Sequence, residues 1–329
     1  MVVMKGLNWF IEKDTMSSKG LWAIEWLTLV YASVTAIFMF FLWADMGHPA
    51  LMLLQRGYIL IGTLLIWQLY RLWPTRLMTF IRITAQMALL SFWYPETYEF
   101  NSRLANLDHV FTKWDAVLFG CQPSLEFSRL CPWTWISEAL NMGYFSYYLM
   151  IVAVMVFFFM CQKKQYERAS FIVMCSFFIY YLIYICLPVA GPQFYFQAVG
   201  VETVENGIYP EIGTYFSQHT EMLPAPGDAD GLFFNLVKGA QDAGERPTAA
   251  FPSSHIGISL ILLYLVYPFS KKMFAGLLPF VVLLTLATVY IQAHYLVDAI
   301  AGILTSVIVF KLSGFVFGKG LFKASSTSD

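Results

Sequence analysis

The chain has 329 residues, of which 58% are hydrophobic, 18% aromatic and only 12% charged, where an ordinary soluble domain carries about a quarter charged residues. That balance excludes a wholly water-facing fold. A net charge of −1 with no basic run longer than two residues removes the electrostatic footprint of a nucleic-acid binder, so no nucleic acid is expected as a partner.

A polar start holding Lys5, Lys13 and Lys19 precedes the first apolar run, residues 21–43, which exceeds the roughly 7–15 residues of a cleavable signal core and reads as a retained anchor. Further runs follow at 57–73, 78–94, 143–161, 169–188, 251–269, 273–291 and 294–317, each close to the ~20 residues that cross a bilayer as a helix. None shows the alternation of a barrel strand, so the expected fold is an all-α integral membrane bundle of about eight spans with two extracytoplasmic loop segments. The expected division is residues 1–94 as N-terminal spans, 95–142 as an extracytoplasmic interfacial segment, 143–317 as a helix bundle that includes loop 191–250, and 318–329 as a cytoplasmic tail. Cation placement supports this sidedness, because cytoplasmic segments collect Lys and Arg. Lys5, Lys13, Lys19, Arg71, Arg76, Arg82, Lys163, Lys164, Arg168, Lys271, Lys272, Lys311, Lys319 and Lys323 fall on one side. Arg56, Arg103, Lys113, Arg129, Lys238 and Arg246 fall on the other. Both termini are therefore expected in the cytoplasm.

Within 95–142, Leu107, Val110, Phe111, Trp114, Val117 and Leu118 recur at helical spacing with Asp108, Lys113 and Asp115 between them, the pattern of a helix in the membrane interface or of one packed over the spans. Cys121 and Cys131 share this segment and can pair in an oxidising compartment. Cys161, Cys175 and Cys186 sit in or beside apolar runs as small hydrophobes. Segment 191–250 is acidic, from Glu202 to Glu245, against Lys238 and Arg246 alone. Glu25 and Arg82, inside apolar runs, are expected to snorkel or to pair. His48, His109 and His219 lack partners at meaningful spacing and read as surface residues.

Chemistry concentrates at two points on the outer side. Phe251-Pro252-Ser253-Ser254-His255 opens the sixth run, and His294-Tyr295-Leu296-Val297-Asp298 opens the eighth. A helix start offers unpaired N–H groups and partial positive charge to an anion; Ser253 or Ser254 is expected to cap while the other meets the ligand, with plain capping of the helix as the rival reading. His294 and Asp298, four apart, share a helix face, so the carboxylate can orient the imidazole. Ionisable groups at this depth are costly and point to function. His255, His294 and Asp298 also match the ligand types of some zinc and iron enzymes, a rival reading that a chelator would expose.

These two motifs resemble the second and third signatures of the type 2 phosphatidic acid phosphatase superfamily, with Gly191-Pro192-Gln193 at the position of the first. The resemblance covers residues 140–317. Asp108 and Leu118-Phe119-Gly120 resemble the longer branch that includes inositol-phosphorylceramide synthases. The resemblance implies a two-step transfer without metal or other cofactor: His294 attacks phosphorus, Asp298 orients it, and His255 protonates the leaving oxygen. It also implies a membrane lipid phosphate as substrate, with hydrolysis as the first reading, transfer of a head group such as inositol phosphate to a lipid hydroxyl as the alternative, and a non-catalytic transporter or scaffold as a third. The chain departs from the family pattern in its cations: Gln193 replaces one arginine, Thr288 stands six residues before His294 where another is usual, and Gln292 is two before it. Arg246 is the expected phosphate clamp in their place, with Lys238, Gln193 and Gln292 as lesser contributors.

Overall fold

The computed structural model describes residues 8–14 and 20–319; Lys5, Lys19, Lys323 and nearly all of the expected tail lie outside them. Among the described residues the fold is all-helical, its only strand-like pairing being an isolated bridge between Lys13 and Thr75. In chain order the helices are α1 Ala23–Phe41, α2 Pro49–Leu72, α3 Arg76–Ala88, α4 Leu90–Asn101, α5 Asp108–Phe119, α6 Pro123–Leu130, α7 Thr134–Cys161 and α8 Lys163–Cys186. There follow α9 Pro192–Val199, α10 Val201–Glu205, α11 Leu232–Gly244, α12 Ser254–Val266, α13 Lys271–Tyr290 and α14 Leu296–Gly318.

Six of these, α1, α2, α7, α8, α13 and α14, are long and apolar enough to cross a membrane. The expected count of about eight is not confirmed, for two local reasons. The run at 78–94 is divided at Leu89 between α3 and α4, and α3 carries Arg76, Arg82 and Gln86 among its apolar residues. The run at 251–269 yields only the 13-residue α12, about 20 Å of helix against a hydrocarbon core of about 30 Å. Pro252 and Ser253 stand before its first turn and Pro268 follows its end, where a missing N–H stops propagation.

The chain forms two compact units. The first takes the chain up to Phe92, Met155–Phe178 and the chain from Lys311. In it Glu25 and Arg82 meet as a fully buried bidentate pair, Nε to Oε1 at 2.7 Å and Nη2 to Oε2 at 2.5 Å, with the guanidinium over the rings of Trp22 and Tyr70. The same Glu25 carboxylate accepts from Trp22 N at 2.7 Å and so closes the start of α1. An ion of either sign alone at this depth would cost several kcal/mol, and pairing with hydrogen bonds removes that cost.

The second unit, Trp93–Val154 with Ile179–Phe310, holds both motifs. Two apolar clusters meet at His294. Ala293 belongs to one, with Leu140, Tyr144, Val237, Ala287 and Tyr290. Tyr295 belongs to the other, with Phe111, Val189, Phe196, Ala250 and Val297. Cys121 and Cys131 are both free thiols, so the possible disulfide is not formed.

Candidate active site

Backbone contacts bring the two histidine motifs together. Ser253 N donates to Asp298 O at 3.1 Å, and Gly302 lets α14 press on Ser253, where a Cβ would lie 2.6 Å from the Ser253 carbonyl oxygen. Ser253 caps α12, its Oγ accepting from Ile256 N at 3.5 Å, and Ser254 N donates to the Tyr184 hydroxyl at 3.0 Å. With α12 and α14 fixed in this way, the rings of His255 and His294 stand 5.7 Å apart, centroid to centroid, at 68°.

His294 is buried, and its Nδ1 lies 2.8 Å from the carbonyl of Ala250. A carbonyl only accepts, so Nδ1 carries the proton and Nε2 presents the lone pair. Asp298 Oδ2 stands 3.7 Å from the same Nδ1, beyond hydrogen-bond length. Its closer partner is Tyr295 N at 2.9 Å, while its Oδ1 has no hydrogen-bond partner. The hydrogen bond that orients the ring is therefore the carbonyl's. Ala250 is offered to the ring by a left-handed residue before it, Ala249 at φ 70°.

Two further carboxylates hold the loops on either side of His294. Asp108 accepts from Ala190 N at 2.7 Å, Gly191 N at 2.8 Å and the Tyr295 hydroxyl at 2.9 Å. Asp115 accepts from Leu296 N at 2.9 Å and Val297 N at 3.0 Å, the first two residues of α14. Thr112, between them on α5, donates to the Tyr295 hydroxyl at 3.0 Å. Asp108, Thr112 and Asp115 are fully buried. Burial pushes both carboxyls up to about 6, against the pull of the N–H groups they accept from. The polar stripe of α5 faces the interior beside Phe111, while Val117 and Leu118 are 74% and 65% exposed. The signal was present in the spacing, because positions 108, 112 and 115 fall on one helix face.

The residues expected to bind phosphate are placed unequally. Gln193 and Gln292 are buried and adjacent, Gln193 N donating to Gln292 O at 2.9 Å, and Gln292 adopts φ 63°. Gln193 Oε1 accepts from Gln241 Nε2 at 3.3 Å. Gly191, at φ +100°, brings this loop against the His294 loop, where a Cβ would meet Ala293 O at 2.7 Å. Lys238 is exposed on α11. Arg246 is exposed as well, its Nη1 donating to Glu245 O at 2.9 Å, so this contact turns it to its neighbour and not to either imidazole. Glu245, which the sequence did not single out, accepts from the Tyr94 hydroxyl at 3.1 Å. Burial pushes its carboxyl up to about 7 against the pull of Tyr94 and Arg246. Thr288 is buried, and its carbonyl accepts from His294 N at 3.0 Å.

Among the described residues no group of three His, Cys, Asp or Glu side chains is arranged to hold a metal ion. His48 is exposed. His219 is half-buried and stacks on Tyr215 at 4.0 Å. His109 is less exposed than expected, with Nε2 3.6 Å from Glu211.

A family model described as PAP2 superfamily matches residues 109–312, more than half of the chain. No curated protein and no solved structure matches it.

Proposed function

The chain belongs to the PAP2 superfamily, whose activity is of the phosphatase or phosphotransferase type on phosphate esters, and from that premise we propose that it hydrolyses a membrane lipid phosphate through a phosphohistidine. The observation that carries the proposal is the pair of imidazoles 5.7 Å apart, one of them held by Ala250 O so that Nε2 is its reactive nitrogen.

In the first step His294 Nε2 forms a bond to phosphorus as the ester P–O bond breaks, and the departing oxygen takes a proton from His255. His294 then carries positive charge, which the Asp298 carboxylate at 3.7 Å offsets. In the second step His255 accepts a proton from water as the hydroxyl oxygen attacks phosphorus, releasing phosphate and restoring His294. Both histidines lie at the ends of apolar helices, which suits a substrate whose tails stay among lipids. Arg246 is assigned to the phosphoryl oxygens, its exposed side chain swinging from Glu245 O to the substrate. Ser253, Ser254, Gln193 and Gln292 line the approach with neutral groups, and Lys238 adds a distant positive charge.

Head-group transfer to a lipid hydroxyl is a second reading, favoured by one observation: buried neutral glutamines adjoin the His294 loop, with Gln193 N on Gln292 O at 2.9 Å and Gln241 Nε2 on Gln193 Oε1 at 3.3 Å. Amides suit a singly charged diester better than a doubly charged monoester. One experiment separates the readings. Purified protein is given a labelled lipid phosphate with and without a long-chain alcohol. Orthophosphate release that ignores the alcohol supports hydrolysis, and label moving into the alcohol supports transfer. Protein that labels on neither His294 nor any acceptor overturns both.

A further inference from the structure

A working histidine needs its ring fixed, and the usual device is a hydrogen bond on the nitrogen that does no chemistry. His294 has that device in Ala250 O. His255 does not: its Nδ1 is buried with no hydrogen-bond partner.

What surrounds His255 is aromatic. The ring of Tyr144 stacks on it with centroids 4.9 Å apart and planes at 29°. Tyr147 lies against it at 4.6 Å and 48°. The two tyrosines are three residues apart on α7, so they project from one helix face, and both are buried. Their position is set by backbone. A Cβ on Gly143 would lie 2.5 Å from Leu283 Cβ and 2.8 Å from Leu284 N, so α7 rests directly on α13 one residue before Tyr144.

We propose that Tyr144 and Tyr147 are positioning residues of the reaction, two phenol faces that hold the His255 ring so that Nε2 reaches the oxygen leaving phosphorus. The inference rests on the reading of His255 as the proton donor. When the P–O bond breaks, its electron pair goes to that oxygen, which takes the proton from Nε2, and His255 changes from imidazolium to neutral imidazole. The imidazolium has a second N–H, on Nδ1, with no acceptor to meet it. The negative faces of the phenols are what the structure sets against that charge. The rings act through their faces, so their hydroxyls are dispensable.

The leaving group provides the test. An alkyl phosphate cannot lose its oxygen without a proton, whereas p-nitrophenyl phosphate releases a stable phenolate unaided. Wild type, Tyr144→Phe, Tyr144→Leu, Tyr147→Phe and Tyr147→Leu are assayed on a lipid monophosphate and on p-nitrophenyl phosphate. The Leu variants are expected to lose about 10-fold or more on the lipid, part of the 10²–10⁴-fold that proton donation supplies, and less than about 3-fold on the aryl ester. The Phe variants are expected to keep both rates. Equal losses on the two substrates, or no loss on either, overturn the inference, because a merely structural role scales both rates together. Where a Leu variant is inactive on both through misfolding, Tyr144→Met and Tyr147→Met are judged by the same ratio. His255→Ala is the control. If it lowers both esters equally, the reading of His255 as proton donor fails and takes this inference with it; if it alone shows the selective loss, only the role of the tyrosines fails.

Discussion

Replacing Asp115 by Asn tests whether the geometry of His294 is held from behind. The carboxylate is fully buried and accepts from Leu296 N at 2.9 Å and Val297 N at 3.0 Å. Each accepted bond contributes about 1 kcal/mol, and a buried N–H left without an acceptor costs about 1–3 kcal/mol. Asn keeps the shape but turns an NH2 toward one of the two N–H groups, so one bond is lost and one buried donor faces another. We expect a cost of about 2–4 kcal/mol from these magnitudes, and a larger cost for Asp115→Ala, which strips both acceptors. His294 is two residues before Leu296, and a displacement of about 1 Å at a reacting group costs on the order of 100-fold in rate. Turnover of p-nitrophenyl phosphate and thermal unfolding in detergent are the assays. The expected result is a lower melting temperature with kcat down by about 10- to 100-fold. An Asp115→Asn protein with wild-type kcat and wild-type melting temperature would refute the reasoning.

The same carboxyls set a pH dependence. Asp108 and Asp115 are pushed up to about 6 from an ordinary 3.8, so the folded chain takes up their protons before the unfolded chain does. The stability they contribute is fully present below about pH 4 and is lost as pH rises through 6. Activity should run the other way, falling below pH 6 as the N–H groups of Ala190, Gly191, Leu296 and Val297 lose a charged acceptor; a rate that holds constant to pH 5 would contradict this. Arg246→Ala is expected to lower kcat/KM by about 10- to 100-fold, the worth of one or two charge-assisted bonds, and unchanged turnover would remove Arg246 from the site. Glu245, titrating near 7 beside Arg246, is neutral below that pH and anionic above it. KM for a phosphate ester should therefore rise above pH 7 in the wild type and stay level in Glu245→Gln. Ala249→Gly, relieving φ 70°, should raise the unfolding free energy by about 1 kcal/mol; a lower melting temperature would show that the alanine methyl is needed.

The sequence made legible what is local. Long apolar runs announce six of the spanning helices, and His255, His294 and Asp298 stand in short motifs at helix starts, where capping and i, i+4 spacing apply without knowledge of the fold. Two runs do not become single helices of spanning length, because hydropathy averaged over 78–94 hides the break at Leu89, and because Pro252 and Pro268 confine α12 to 13 residues. The orienting partner of His294 could not be read at all, since the Ala250 carbonyl is a backbone group that no residue type encodes. Asp298 was the visible candidate for that bond, yet it lies 3.7 Å away.

The inward polar stripe of α5 has a physical source. An amphipathic helix ordinarily sets its charged residues toward water and its apolar residues toward the packing. In α5 Asp108, Thr112 and Asp115 face inward beside Phe111, with Val117 and Leu118 outward. The interior accepts them because it is lined with backbone N–H groups that have no helical partner: those of Ala190 and Gly191 in a loop, and of Leu296 and Val297 at a helix start. A helix that must satisfy such donors carries its polar residues on the side facing them, whatever surrounds the protein. His294 is thereby fixed from three directions by groups that need never touch phosphorus: a carbonyl on Nδ1, one carboxylate through Gly191 and Tyr295, and another through the first turn of α14.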